Sequence, residues 1–320
     1  MDPLFADAVP SASALFLQYC IEGLTFGSLI ALIALGYTMV YGIIGLINFA
    51  HGDLFMLGAF LALALVSALL PAPSDASMAM TILVILLATV CSATFCAALN
   101  VAVDKVVYRP LRQAPKLAPL VSAIGVSFVF MNVGQLWGGV ADVNFPKLVP
   151  EANVLAWFGI DSVRLTAKDL LVLGVTIPVM VGLTLLVQYT KLGKAMRATE
   201  QNPIAAQLMG INVNYVVSAT FAIGGGLAGI ASVVYGLSIN TISYQMGFQN
   251  GLYAFTAAVL GGIGKLPGAV LGGLIIGFVR SLGSAYVGEV WTSALIFAIL
   301  IVLLVFRPSG LLGSTAREKV

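Results

Sequence analysis

Apolar residues fall in long blocks along this chain, separated by short polar clusters. The blocks lie at roughly 15–40, 53–70, 80–103, 118–138, 169–190, 215–236, 268–286 and 290–306. Each is long enough to cross a bilayer core as a helix, which takes about 20 residues. The stretch 250–263 is shorter and Gly-rich. It reads either as a further span or as a broken half-helix lining a cavity, where irregular backbone is tolerated. Residues 15–50 allow one crossing or two short ones. The pattern predicts an all-α, polytopic transmembrane helical bundle of about 8–10 spans, with a short or broken helix near 250–266, in one domain over 1–320.

Composition agrees. The chain is 60% apolar and 9% charged, with a mean hydropathy of +1.05. Soluble domains carry about 25% charged residues, so a soluble fold is excluded. Cys20, Cys91 and Cys96 lie inside apolar runs with no disulfide or metal spacing and read as buried free thiols. The first 13 residues carry no Lys or Arg, so the first apolar run reads as a retained span rather than a signal peptide.

Charge placement predicts orientation. Lys105, Arg109, Arg112 and Lys116 cluster between two spans, as do Lys191, Lys194 and Arg197; Arg307, Arg317 and Lys319 follow the last. Basic connections stay in the cytoplasm. The segments 71–79 and 237–248 have no basic residue and are expected outside, with 139–168 outside by alternation. Small residues recur every four positions, at Gly23 and Gly27, at Gly225 and Gly229, and at Gly264, Gly268 and Gly272, with Gly273 and Gly277 beside them. Such spacing lets helix backbones approach closely, within the chain or against a second membrane subunit. Tyr41-Gly42 with Asn48 faintly echoes Tyr235-Gly236 with Asn240, as an inverted repeat would.

The segment Lys191 to Asn214 carries the clearest helix punctuation. Asn202 then Pro203 read as N-cap and first helical position. Ile204, Ala205, Leu208 and Met209 share a face, and Gly210 is a C-terminal stop. One or two turns of helix are unstable alone in water, so something covers that face: the chain's own helix ends, the lipid surface, or a groove in a soluble partner. In Tyr37 to Phe60, Asn48, His51 and Asp53 interrupt the apolar run. His51 is the single histidine and has no second metal ligand. The topology places it near the cytoplasmic face, with Asp53 as a cap for the next helix. Against these structural roles, Asn48 and His51 are candidates for a translocation path. So are Glu22, which shares a face with Gln18 and Thr25, and Asn132, which shares one with Gln135. Arg280 lies inside the 268–286 span.

Several chemistries are missing. The segment Gly261 to Leu266, GGIGKL, lacks the first glycine and the final Ser or Thr of a phosphate loop. No nucleophile set, carboxylate pair or metal cluster stands out, which argues against an embedded enzyme. A secondary transporter needs several carboxylates inside its spans, and only Glu22 stands clearly inside one.

At this point the chain resembles a known family. GYTMVYGIIGLINFAHGDLFMLGAF (36–60), VYRPLR (107–112), LVSAIGVS (120–127), AAQLMGIN (205–212), FTAAVLGGIGKLPGAVLGGLIIG (255–277) and RPSGLLG (307–313) are similar to stretches of the permease subunits of bacterial ABC importers for branched-chain amino acids, of the LivH type. The wider family includes permeases for sugars, nucleosides and urea or short amides, and a urea or amide permease is the nearest alternative. The resemblance implies a multi-pass subunit in the cytoplasmic (inner) membrane, embedded in the lipid bilayer, without cofactor or nucleic acid. It implies a second similar permease, two cytoplasmic ATP-binding subunits and a periplasmic substrate-binding protein. It maps the ATPase-coupling segment onto Glu200 to Gly210, including Asn202, Pro203, Ala205, Ala206 and Leu208. The chain departs from the family at Arg280, about where relatives often carry an acidic residue.

Overall fold

The computed structural model describes residues 12–45, 48–71, 76–112, 114–115, 117–159 and 162–313. The long apolar blocks become helices because every backbone N–H and C=O must be satisfied inside its own segment once water is excluded. They are α1 (Ala12–Ile44), α2 (Ala50–Leu69), α3 (Met78–Val103), α5 (Leu117–Gly138), α6 (Ala167–Tyr189), α9 (Val213–Ile239), α11 (Leu266–Tyr286) and α12 (Glu289–Phe306). Among the described residues, eight helices are long and apolar enough to cross a membrane. Residues 15–50 do not hold two crossings: α1 is one helix of 33 residues running to Ile44. The basic segment after α3 is not a simple loop either. The helix continues through a π-helical stretch, Asp104–Tyr108, into α4 (Arg109–Leu111).

Between α6 and α9 the chain forms α7 (Lys191–Gln201) and α8 (Pro203–Leu208). Sequence reading placed the second and missed the first. The stretch 250–263 is α10 (Met246–Gly261), with 16 residues. Its length of about 24 Å is short for a span, and it starts inside the bundle. A Cβ on Gly52 of α2 would touch the backbone of Gly251, and one on Gly247 would touch Asp53. The first turns of α2 and α10 therefore meet inside the protein. Both follow a sharp reversal after a long helix. Gly45 has φ +69° after α1, and Asn240 has φ 57° after α9. At the second reversal, β1 (Val143–Asn144) pairs antiparallel with β2 (Thr241–Ile242), Val143 opposite Ile242. Phe145 N–H donates to the Asn240 carbonyl at 2.9 Å.

Packing follows a two-fold pattern. The helices α1 and α9 pack on each other. While α2 lies against α9, α10 lies against α1; α3 packs on α9 as α11 packs on α1, and α5 meets α2 as α12 meets α10. The faint Tyr-Gly…Asn echo thus marks two halves of opposite direction. Their seams are lined by glycine. A Cβ on Gly27 would press on Leu274 Cα at 2.8 Å, and one on Gly225 on Ala97 Cα at 2.9 Å. Gly268 and Gly272 face Gly261 and Ala257 of α10 in the same way. Gly264 is a correction: it lies in the turn between α10 and α11, at φ +85°, rather than on a helix face. Cys96 is buried and free; Cys20 and Cys91 are free and half-buried, so burial holds fully for one of the three.

The seam predicts its own test. Gly229→Val would drive a side chain into the Ser92–Ala93 backbone, which cannot move aside as a side chain can, and overpacking costs about 1–3 kcal/mol. Gly174 has nothing within 4 Å of its Cβ position. Denaturation in mild detergent is expected to show a marked loss of stability for Gly229→Val and little change for Gly174→Ala.

Candidate functional site

Three polar or exposed features stand out against the apolar bulk. The first is the junction of α2 and α10. His51 is 1% exposed and lies against Gly36 of α1. That glycine is eight residues before the end of α1, about 12 Å along the helix. His51 is therefore inside the bundle, not near the cytoplasmic face as its sequence position suggested. Its ring meets Tyr37 edge-on at 4.7 Å, and among the described residues neither ring nitrogen has a hydrogen-bond partner. Asp53 does not cap α2, whose N-cap is Phe49 without a side-chain bond. The Ser127 hydroxyl of α5 donates to one Asp53 oxygen, and the other oxygen is unpaired among the described residues.

Asn48 is buried too and belongs to a continuous hydrogen-bond chain. Tyr108 Oη donates to Asn48 Oδ1 at 2.8 Å, Asn48 Nδ2 donates to Asn100 Oδ1 at 3.3 Å, and Asn100 Nδ2 donates to the Phe221 carbonyl at 2.7 Å. Asn100 and Tyr108 were missed from the sequence. The one signal for Asn100 was an isolated polar side chain in an apolar run; Tyr108 sat in the basic segment after it. Next to this chain, Asp104 accepts from Arg112 at 2.5 Å and from Ser218 at 2.7 Å, fastening the π-helical stretch to α9.

The four path candidates do not converge. Asn48 and His51 flank the junction, closed off inside the chain. Asn132 is exposed on α5 and donates to its own Phe128 carbonyl at 2.7 Å. Glu22 is exposed on the first part of α1, accepts from Gln18 at 3.1 Å, and lines a cleft with Arg280. Gln18 Oε1 accepts from the Arg164 N–H and Thr25 donates to Asp169, so this cleft lies at the end holding the β1–β2 clasp. It is the second feature.

The third is the opposite, basic end. Thr190 caps α7 by accepting from Gly193 N–H at 3.0 Å, and Arg197 donates to the Val187 carbonyl. Asn202 caps α8, accepting from Ile204 and Ala205 N–H at 3.0 Å each. Pro203 is the first helical residue, and Gly210 takes φ +83° at the stop. Ala206 is buried, while Ile204, Leu208 and Met209 are 73%, 83% and 82% exposed. The expected apolar face exists, and among the described residues nothing covers it. Behind it, Glu200 lines a hollow with Thr38, Gly42, Arg197, Gly264 and Leu266. Glu200 thus lies 3.9 Å from the Cβ position of Gly264, in the turn from α10, and shares the hollow with the end of α1 and the start of α11.

These features define a multi-pass helical membrane protein of the transport type: two inverted halves, short helices starting inside the bundle, and a helical surface offered at the basic end. Comparison with known proteins agrees. The family described as "Branched-chain amino acid transport system / permease component" matches residues 19–305, and the chain belongs to it. It is 41% identical to the high-affinity branched-chain amino acid transport system permease protein BraD of Pseudomonas aeruginosa over 95% of this chain and 98% of that one. It is 39% identical to the corresponding LivH of Escherichia coli K12 over the same shares. The ribose import permease RbsC of Escherichia coli K12 is 27% identical over 49% of this chain and 47% of its own length. No solved structure matches.

Glu200 supplies a pH test. Burial holds its carboxyl above the ordinary range, partly offset by Lys265 and Arg197. The folded state therefore binds this proton more tightly than the unfolded state does. The cost of the ionised form is present at neutral pH and disappears as pH falls through the folded value toward the ordinary carboxylate range. Glu200→Gln is expected to raise the melting temperature near pH 8, with the gain shrinking near pH 4. A gain independent of pH would contradict the assignment.

Proposed function

We propose that the chain is the permease subunit of an ATP-driven importer that moves branched-chain or related apolar amino acids into the cytoplasm across the bacterial inner membrane. The observation that carries this reading is the bare apolar face of α8, capped, mounted on α7 and backed by Glu200, in a chain of this family. The basic end faces the cytoplasm, because Lys191, Lys194 and Arg197 resist translocation. Two ATP-binding subunits dock there and bind and hydrolyse the nucleotide. The permease performs no chemistry and holds no cofactor. A second, similar permease completes the path, and a periplasmic binding protein delivers the substrate to the other end.

The residues suggest how coupling works. A partner groove receives Ile204, Leu208 and Met209 and removes them from water. Six residues of helix give way little along their length, so displacement of α8 passes to α7 through Ala206. From α7 it reaches Glu200, and from there the end of α1 and the start of α11. These belong to the α1–α11 seam that joins the two halves. ATP-driven movement of the docked subunits thus becomes relative movement of helices.

Leu208→Asp would place a charge where a groove must be dry, which is costly without a partner. No span is touched, so the chain should insert normally. In reconstituted vesicles, uptake and ATPase stimulation are expected to fall together, while Gln207→Glu leaves both nearly unchanged. Normal transport by Leu208→Asp in an intact complex would remove α8 from the mechanism. Uptake by this chain alone, driven by a proton or sodium gradient, would overturn the importer reading itself.

A further inference from the structure

The cleft between α1 and α11 has no part in the coupling mechanism. It is an open hollow of about 340 Å³ at the end opposite α7 and α8, with Tyr19, Glu22, Phe26, Arg280, Ser284 and Glu289 among its walls. Small-molecule sites occupy about 300–1,000 Å³. Its rim is fixed: Ser281 donates to the Tyr19 carbonyl at 2.7 Å, and the Tyr19 and Tyr286 rings meet edge-on at 6.1 Å.

The cleft holds both signs of charge, Glu22 and Glu289 with Arg280, and only Glu289 pairs with Arg280. Arg280 Cζ sits 3.9 Å over the Phe26 ring, a cation–π contact that positions the guanidinium. Glu289 approaches it only to 3.7 Å, beyond hydrogen-bond length, so its N–H donors are left for a ligand. Glu22 lies one turn before Phe26 on α1. Gln18 takes one of its oxygens, and among the described residues the other has no partner. Glu22 and Arg280 form no ion pair with each other among the described residues, although both line the cleft. Two opposite charges held apart on a membrane helix pair are costly in lipid. They suit a water-filled mouth and a ligand carrying the complementary charges.

We propose that this cleft is the outward-facing recognition site for a zwitterionic amino acid. Arg280 takes the α-carboxylate through its planar fork of donors, Glu22 takes the α-ammonium, and the aromatic wall of Phe26 and Tyr19 accepts an apolar side chain. Such a site favours a ligand carrying both charges over sugars, urea and neutral amides, which carry neither. The inference rests on the importer reading and gives its substrate a site.

The test uses the complete importer, both permeases with the ATP-binding and substrate-binding subunits, in vesicles. Wild-type uptake of leucine on ATP is the control, and its failure would sink the importer reading and this inference together. With wild-type uptake established, Glu22→Gln and Arg280→Gln should each cut leucine uptake about tenfold, the worth of one charge-assisted hydrogen bond. Assembly and stimulation of ATPase by the docked binding subunit should be unchanged, and Arg280→Lys should recover part of the loss. In a chain with Cys20, Cys91 and Cys96 replaced by alanine, Ser284→Cys should react with an impermeant thiol reagent and be protected by leucine but not by leucinamide. Undiminished uptake in both variants, a loss repaired by more binding subunit, or a Cys at position 284 that leucine does not protect would each overturn the proposal.

Discussion

Lipid offers an apolar helix the same surroundings as another apolar helix does, so burial alone cannot assemble a bundle like this one. What assembles it is close backbone approach along glycine-lined seams. On one side Gly23 and Gly27 of α1 lie against Gly273, Leu274 and Gly277 of α11; on the other, Gly225 and Gly229 of α9 lie against the Ser92–Asn100 stretch of α3. Dispersion contacts are individually weak, but they add up when two backbones touch over several turns. With these two seams closed, α2 and α10 are held between α1 and α9, and their first turns are brought together.

That meeting point concentrates the polar groups the bundle cannot easily satisfy. The Tyr108–Asn48–Asn100–Phe221 chain is paired throughout. A few residues away, His51 and one oxygen of Asp53 have no hydrogen-bond partner among the described residues. Each such group costs about 1–3 kcal/mol. The two halves therefore meet at their least satisfied contact, while their outer seams are dry and tight.

The functional surfaces lie at the two ends of the same construction. At the basic end, α8 shows its apolar face and Glu200 ties it to α1 and to the turn before α11. At the other end, the α1–α11 seam opens into the charged cleft of Glu22 and Arg280. One helix pair thus reaches both surfaces.

Much of this was legible in the residues. Hydrophobic run length defined the eight long helices, since the bilayer sets one length for all of them. The Asn202-Pro203…Gly210 punctuation marked α8 closely, because caps act within a few residues and need no tertiary context. The family resemblance of the chain was also carried by local motifs. The junction was not legible. His51 was expected at a membrane face and lies inside, because its depth depends on the chain turning back at Gly45 and on α2 packing across α9. Asp53 was expected to cap a helix and instead receives the Ser127 hydroxyl from 74 residues away. Gly264 shares the four-residue spacing of Gly268 and Gly272 but lies in a turn, since spacing does not say where a helix begins. The sequence by itself determined which segments cross and where short helices stop, for those follow from local length, capping and charge. Only the tertiary structure decided which polar groups meet, because such meetings depend on contacts between helices far apart in the chain, and local pattern carries no record of them.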